Sequence, residues 1–252
     1  LATIAQWEQK PSAEYGALSV FREAFGEPDD WQVDLCTSTA SRILTLCARQ
    51  SGKTSSLAAI IVSELLTKPG CTAAILAPTL QHASEVLHRT RAVYAAIGRP
   101  AGALADSALR LTLNNGSRAV CLSAERSLRG FSPTLLVADE ACLIEDSTYY
   151  AARPLLAATK GRLIATSTPR GRFGWFYEAY EGNASGESWR RFKVPAIEVP
   201  RLTEDFLSGE RKALPAAVYA AEYDCVWMDD TFGVWSKAMI DAAFNKETVP
   251  LW

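Results

Sequence analysis

Apolar positions along the chain fall into two kinds of run. Short runs rich in Ile, Leu, Val, Ala and Thr cover residues 43–47, 72–77, 109–113, 119–123, 134–139 and 162–166. Most are closed by polar or turn-forming residues, the mark of buried strands. Longer stretches with apolar positions three and four apart separate several of them, at 53–67, 80–97 and 147–158, and predict helices. Strands alternating with helices of that length predict an α/β fold with a mostly parallel sheet flanked by helices. Asn114-Asn115-Gly116-Ser117 is the exception, because Asn-Gly between two strand runs signals a tight turn. An antiparallel hairpin at the sheet edge is therefore expected. After about Gly186 the alternation weakens. "WRRFKVPAIEVPRL" reads as one more strand and a proline-marked turn, followed by short helices at 204–214 and 216–223. The expected division is a core over residues 1–195 and a small helical subdomain over 196–252, with "VWMDDTFGVW" either returning to the sheet or leading out.

Composition narrows the class. With 252 residues, 48% of them apolar and 21% charged, the chain can bury one large core. No apolar stretch reaches the roughly 20 residues that cross a bilayer, and no basic start with an apolar core marks a secretory signal. The first residue is Leu1 and not Met, which suggests a trimmed or excerpted protein. Six scattered cysteines without a C-x-x-C pair read as small core residues in a reducing compartment. His82 and His88 fall on different faces of their predicted helix, which argues against a metal site. A net charge of −2 excludes a polycationic protein but not a local basic groove.

The first chemistry lies in "CARQSGKT", residues 47–54, between a strand run and a helical run. The usual phosphate-loop pattern is G-x-x-x-x-G-K-[ST], and only its first position differs, where Cys47 replaces glycine. Gly52 lets backbone N–H groups close on phosphates, and the following helix aims its positive end at them. Lys53 and Thr54 would serve the terminal phosphates and Mg²⁺, with Arg49, Gln50 and Ser51 completing the ATP loop. Cys47 needs only a backbone conformation open to a residue with a Cβ atom. The second piece is "TLLVADEA", whose apolar run ends in Asp139-Glu140. A buried strand delivers its last residues to the carboxyl edge of the sheet, where ligands of doubly wound folds sit. Asp139 is placed to hold Mg²⁺ and Glu140 to orient and deprotonate water, whereas alone the pair would read as a helix cap. Together the two motifs predict a P-loop NTPase.

"ARQSGKT", "LAPT" at 76–79, "LRG" before "LLVADEA" and "ATSTPRG" at 165–171 occur in that order, and the chain in this respect resembles the large terminase subunits of tailed bacteriophages. The resemblance runs from about Trp31 to Trp227, and a "RQSGK" loop lacking its first glycine is itself a point of agreement. It implies an ATP-driven motor domain that pumps double-stranded viral DNA into a procapsid in the host cytoplasm. It also implies a portal and a small terminase subunit as partners, and a homo-oligomeric ring when assembled from a chain monomeric in isolation. The family's nuclease domain is not expected in residues 1–252, since after Trp227 Asp229-Asp230 and Asp241 are too few for its carboxylate set.

By the same resemblance Gln32 is an adenine reader, beside the alternative of an exposed glutamine, and Ser167 and Thr168 couple phosphate state to movement, with hydroxyls within reach of Glu140 or water. The arginine that stabilises the transferring phosphoryl group is either Arg49, in cis from the loop, or Arg129 of "SLRGFSPT", better placed to reach a neighbouring subunit. Arg170, Arg172, Lys160 and Arg162, with Trp175, Phe176 and Tyr177, read either as a track for a DNA backbone or as a solvated turn beside core aromatics, and core is favoured for the aromatics. Two rival functions stand beside this reading: a helicase-like DNA translocase, which shares the hydrolytic site, and, of another class, an ATP-dependent binding switch.

Overall fold

The computed structural model describes residues 14–122, 132–182 and 188–228. Within them one sheet is built from β1 (Arg42–Cys47), β2 (Thr72–Leu76), β3 (Ala103–Ser107), β4 (Arg110–Leu113), β5 (Arg118–Leu122), β6 (Leu135–Asp139), β7 (Arg162–Ser167) and β8 (Arg190–Val194). Their spatial order is β3-β4-β5-β2-β6-β7-β1-β8. From β5 to β8 every neighbouring pair is parallel, and β4 and β3 continue the other edge antiparallel. The predicted hairpin closes with Leu113 N–H donating to Ser117 O at 2.8 Å. Strand β3 extends the edge beyond it, and no sequence signal announced it because all five of its residues are exposed.

The inner strands are apolar on both faces, as parallel strands covered on both sides require. In β1, Ile43 and Cys47 join one core cluster while Leu44 and Leu46 join the other, and β2 and β6 split in the same way. The first cluster is covered by α1 (Ala17–Phe25), α2 (Asp30–Thr37), α3 (Lys53–Thr67) and α4 (Leu80–Ala96). The second receives side chains from α5 (Asp146–Ala152), α6 (Gly174–Glu181), α7 (Glu204–Ala213) and α8 (Ala216–Glu222). Trp175 and Phe176 lie in it, with the Tyr149 ring stacked on Trp175 at 3.9 Å between centroids, so these aromatics are core.

Two differences from the sequence reading have physical reasons. The predicted helix over 147–158 stops as α5 at Ala152 and continues as a 3-10 turn, Arg153–Leu156. Pro154 has no N–H to give an α-helical bond, and its ring clashes with the preceding turn. Helices α1 and α2 were not predicted. They are short, although Asp29-x-x-Gln32 is a capping-box signature and Gln32 Oε1 does accept from Asp29 N–H at 2.9 Å. Of the two courses left open for "VWMDDTFGVW", Met228 returns to the fold by a parallel bridge to Gly171, while the rest of the 196–252 segment beyond it lies outside the described residues.

All six cysteines carry free thiols, and four of them are buried. No helix among the described residues is long and apolar enough to cross a membrane.

Candidate functional site

The loop of residues 47–54 leaves β1 at the carboxyl edge of the sheet and opens α3. Cys47 finishes the strand fully buried in the first core cluster and is absent from the positive-φ residues, so glycine is not needed there. Burial pushes its thiol up to about 12, and it stays protonated packing material. The loop turns instead at Gln50, with φ of 58°, and at Gly52, with φ of 94°. A Cβ on Gly52 would sit 2.8 Å from Gln32 Nε2, so glycine is required there both by φ and by space. Among the described residues no acceptor takes the N–H of Gln50, Gly52, Lys53 or Thr54. Those of Gly52, Lys53 and Thr54 are donors a helix start leaves open, and Gln50 adds one from the loop before it.

Lys53 Nζ donates to Glu140 Oε1 at 2.5 Å, and both side chains are largely covered. Burial opposes the Lys53 charge, and Asp139 and Glu140 together outweigh it, so the ammonium is held above the ordinary lysine range. Asp139 ends β6 with 6% exposure, and burial pushes its carboxyl above the usual aspartate range. Lys53 and a hydrogen bond from Thr166 Oγ1 to Asp139 Oδ1, at 2.9 Å, pull it the other way. Glu140 occupies the left-handed region at φ 51°, ψ 46° and starts the 3-10 turn Ala141–Leu143.

Strand β7 lies between β1 and β6, which decides what meets the acids. Thr166 is in register with Asp139 on one side and Thr45 on the other. Its hydroxyl therefore faces the same side of the sheet as the start of α3. Ser167, one residue on, belongs to the opposite face, and its Oγ accepts from Cys142 N–H at 3.1 Å rather than meeting Glu140. Thr168 follows the strand half-buried.

The remaining predicted residues are placed as follows. Gln32 is buried at 2% exposure, not solvated; with its Oε1 engaged by Asp29, its Nε2 faces the loop beside Gly52. Arg49 does not turn toward Lys53 and Glu140: its guanidinium pairs with Glu222 of α8 at 3.6 Å, and its N–H donates to Glu222 O at 2.8 Å. Arg129 lies outside the described residues. Arg162 is spent on the Ser38 and Ala40 carbonyls, which removes it from any DNA track, while Lys160, Arg170 and Arg172 are exposed.

Sequence reasoning missed two residues that hold this site. Thr166 was treated as strand, and only the inter-strand register reveals its hydroxyl. Arg201, between β8 and α7, donates from Nη2 to Ser51 O at 2.7 Å and from Nη1 to Asp29 Oδ1 at 2.8 Å. Nothing in "PRLTED" marked it.

Thr54 and Asp139 offer hydroxyl and carboxylate oxygen, the donor chemistry that suits Mg²⁺ with substrate phosphates and water completing its shell. A buried carboxyl pushed upward by desolvation fits a site that gains from a cation.

A family model described as "Terminase large subunit, T4likevirus-type, N-terminal" matches residues 44–241. The large terminase subunits of Thermus phage G20c and Thermus virus P23-45 are each 30% identical over 182 residues, covering 64% of this chain and 37% of theirs. The chain thus spans well under half the length of these curated relatives. Among solved structures, the large terminase ATPase domain of Thermus phage P74-26 superposes with a TM-score of 0.71 at 25% identity, covering 82% of this chain and 97% of that one. The large terminase of a thermophilic bacteriophage, solved in complex with ADP, shares the fold, with a TM-score of 0.70 at 14% identity over 80% of this chain and 54% of that one.

Proposed function

The chain belongs to the T4-like-virus-type large terminase family, matching its N-terminal region, and from this premise we propose that it hydrolyses ATP to drive double-stranded DNA into a procapsid. The observation that carries the proposal is the Lys53–Glu140 ion pair at the head of α3, beside a buried Asp139 and a loop with open N–H groups. The similarity to the ATPase domain of the Thermus phage P74-26 large terminase points the same way.

In this mechanism the open N–H groups, the α3 N-terminus and Lys53 receive the β- and γ-phosphates. A triphosphate carries more charge than one carboxylate and draws Lys53 off Glu140. Thr54 and Asp139 would hold Mg²⁺, which when bound neutralises charge on the phosphate oxygens. Glu140, freed of Lys53, accepts a proton from the attacking water as its oxygen bonds to the γ-phosphorus and the bond to the ADP oxygen breaks. Gln32 contacts adenine through Nε2, since its oxygen caps α2. Ser167 links the γ-phosphate side to the turn after Glu140 through Cys142, and Thr168 continues that coupling. Because Arg49 is engaged by Glu222, we assign the finger role to Arg129 acting on a neighbouring subunit in an assembled ring. Helices α7 and α8 act as a lid that moves with nucleotide state, and portal and small terminase subunit are the partners of the whole protein.

Steady-state phosphate release tests the reading. The purified chain is expected to turn over ATP only with Mg²⁺, and Lys53→Ala to abolish ATP binding or turnover, because the triphosphate loses its main cationic partner. Unchanged turnover in Lys53→Ala would remove the phosphate site from this loop. Binding without steady turnover would make the chain a switch, not a motor.

A further inference from the structure

Arg201 holds the nucleotide loop from outside, and we infer that it is a positioning residue that fixes the Ser51–Gly52 peptide plane so that the Gly52 N–H faces the phosphates. The inference rests on reading residues 47–54 as the ATP loop. A trans peptide is planar, with its C=O and N–H pointing in opposite directions. Arg201 Nη2 grips Ser51 O at 2.7 Å, so the Gly52 N–H is turned to the far side, where no described residue accepts it. Gly52 lacks a Cβ and sits at φ 94°, a backbone free to rotate that plane. Rotated, it would present a carbonyl oxygen to a triphosphate.

The second arm of the fork secures the clamp. Arg201 Nη1 donates to Asp29 Oδ1 at 2.8 Å, and the Asp29 side chain is only 8% exposed. Its other oxygen, Oδ2, meets no donor among the described residues, so Arg201 is the cation that compensates this carboxylate. Asp29 caps the helix that carries Gln32. A Cβ on Gly52 would meet Gln32 Nε2 at 2.8 Å and Arg201 Nη2 at 3.2 Å, so both side chains close on the glycine from outside the loop. One planar guanidinium thereby joins three separate pieces of chain: the start of α2, the phosphate loop, and the segment between β8 and α7. A lysine ammonium lacks the fork that spans two acceptors on different elements. The chain that follows β8 holds the loop a second time at the end of α8, where Arg49 N–H donates to Glu222 O at 2.8 Å.

The test is the affinity of a fluorescent ATP analogue together with steady-state kinetics and thermal unfolding, for the wild type, Arg201→Lys and Arg201→Ala. Arg201→Lys is expected to stay folded, with Asp29 still paired. Its Kd and KM should rise about 10- to 100-fold, the range for losing a charge-assisted hydrogen bond. The loss should fall on KM rather than kcat, because the loop holds the phosphates alike in ground and transition states. Arg201→Ala should lose at least as much; if it fails to fold, Arg201→Lys alone decides. Wild-type affinity in Arg201→Lys, or a fall in kcat at unchanged KM, would overturn the positioning role and leave the ATP site standing. A wild type that binds no analogue would instead overturn the ATP-site reading and this inference with it.

Discussion

Asp139 and Glu140 are adjacent in sequence and do different work because the backbone turns between them. Asp139 is the last strand residue and stays buried, whereas Glu140 takes a left-handed conformation and reaches Lys53. Such a conformation costs a non-glycine residue roughly 1–3 kcal/mol, a strain that clusters at functional sites. Asp139 in turn depends on Thr166, which supplies the hydrogen bond that orients its carboxyl. Thr166→Val keeps the volume and loses the donor. The Mg²⁺ concentration for half-maximal turnover should then rise about 10- to 100-fold, as for other groups that orient a metal ligand, and Thr166→Ser should restore it. An unchanged Mg²⁺ requirement would show that Asp139 is oriented without Thr166. The loop and the acid pair were legible in the sequence because each is a contiguous motif between predicted elements. Thr166 and Arg201 were not, because their contacts join residues far apart in sequence, and nothing local to "LIATS" or "PRLTED" records register or approach.

Among the elements, β7 has the most consequence, since its insertion between β1 and β6 puts the Thr166 hydroxyl between the phosphate-loop strand and Asp139. The strands and α3 were readable from periodicity because their neighbours bury them; β3, with no buried face, was not. The break of α5 at Pro154 was written in the sequence and outweighed by the helical spacing around it. The entry to β7 is fixed by Gly161, where a Cβ would lie 2.6 Å from Pro133 O, 2.7 Å from Leu156 Cδ2 and 2.9 Å from Thr134 O. Two of those neighbours are backbone atoms of the chain entering β6 and cannot step aside as a side chain would. Gly161→Ala is expected to destabilise the fold by about 1–3 kcal/mol, as overpacking does, while nucleotide affinity in the folded protein stays at the wild-type level. Equilibrium denaturation checks this, and full stability in the variant would mean that the turn relaxes freely.

At the scale of the whole molecule, one edge of the sheet gathers the loop after β1, the acids at the end of β6, the hydroxyls at the end of β7, and the clamp between α2 and the segment after β8. At its centre, in the proposed mechanism, Lys53 exchanges Glu140 for a triphosphate, which frees Glu140 to act on water. Comparing Mg-ATP binding with single-turnover hydrolysis in Glu140→Gln tests that exchange most directly. Affinity is expected at or above the wild type, because Lys53 no longer has a carboxylate to leave, and hydrolysis is expected to slow by about 10²- to 10⁴-fold, the usual cost of losing a positioned base. Binding lost in a folded Glu140→Gln protein, or hydrolysis at the wild-type rate, would contradict it.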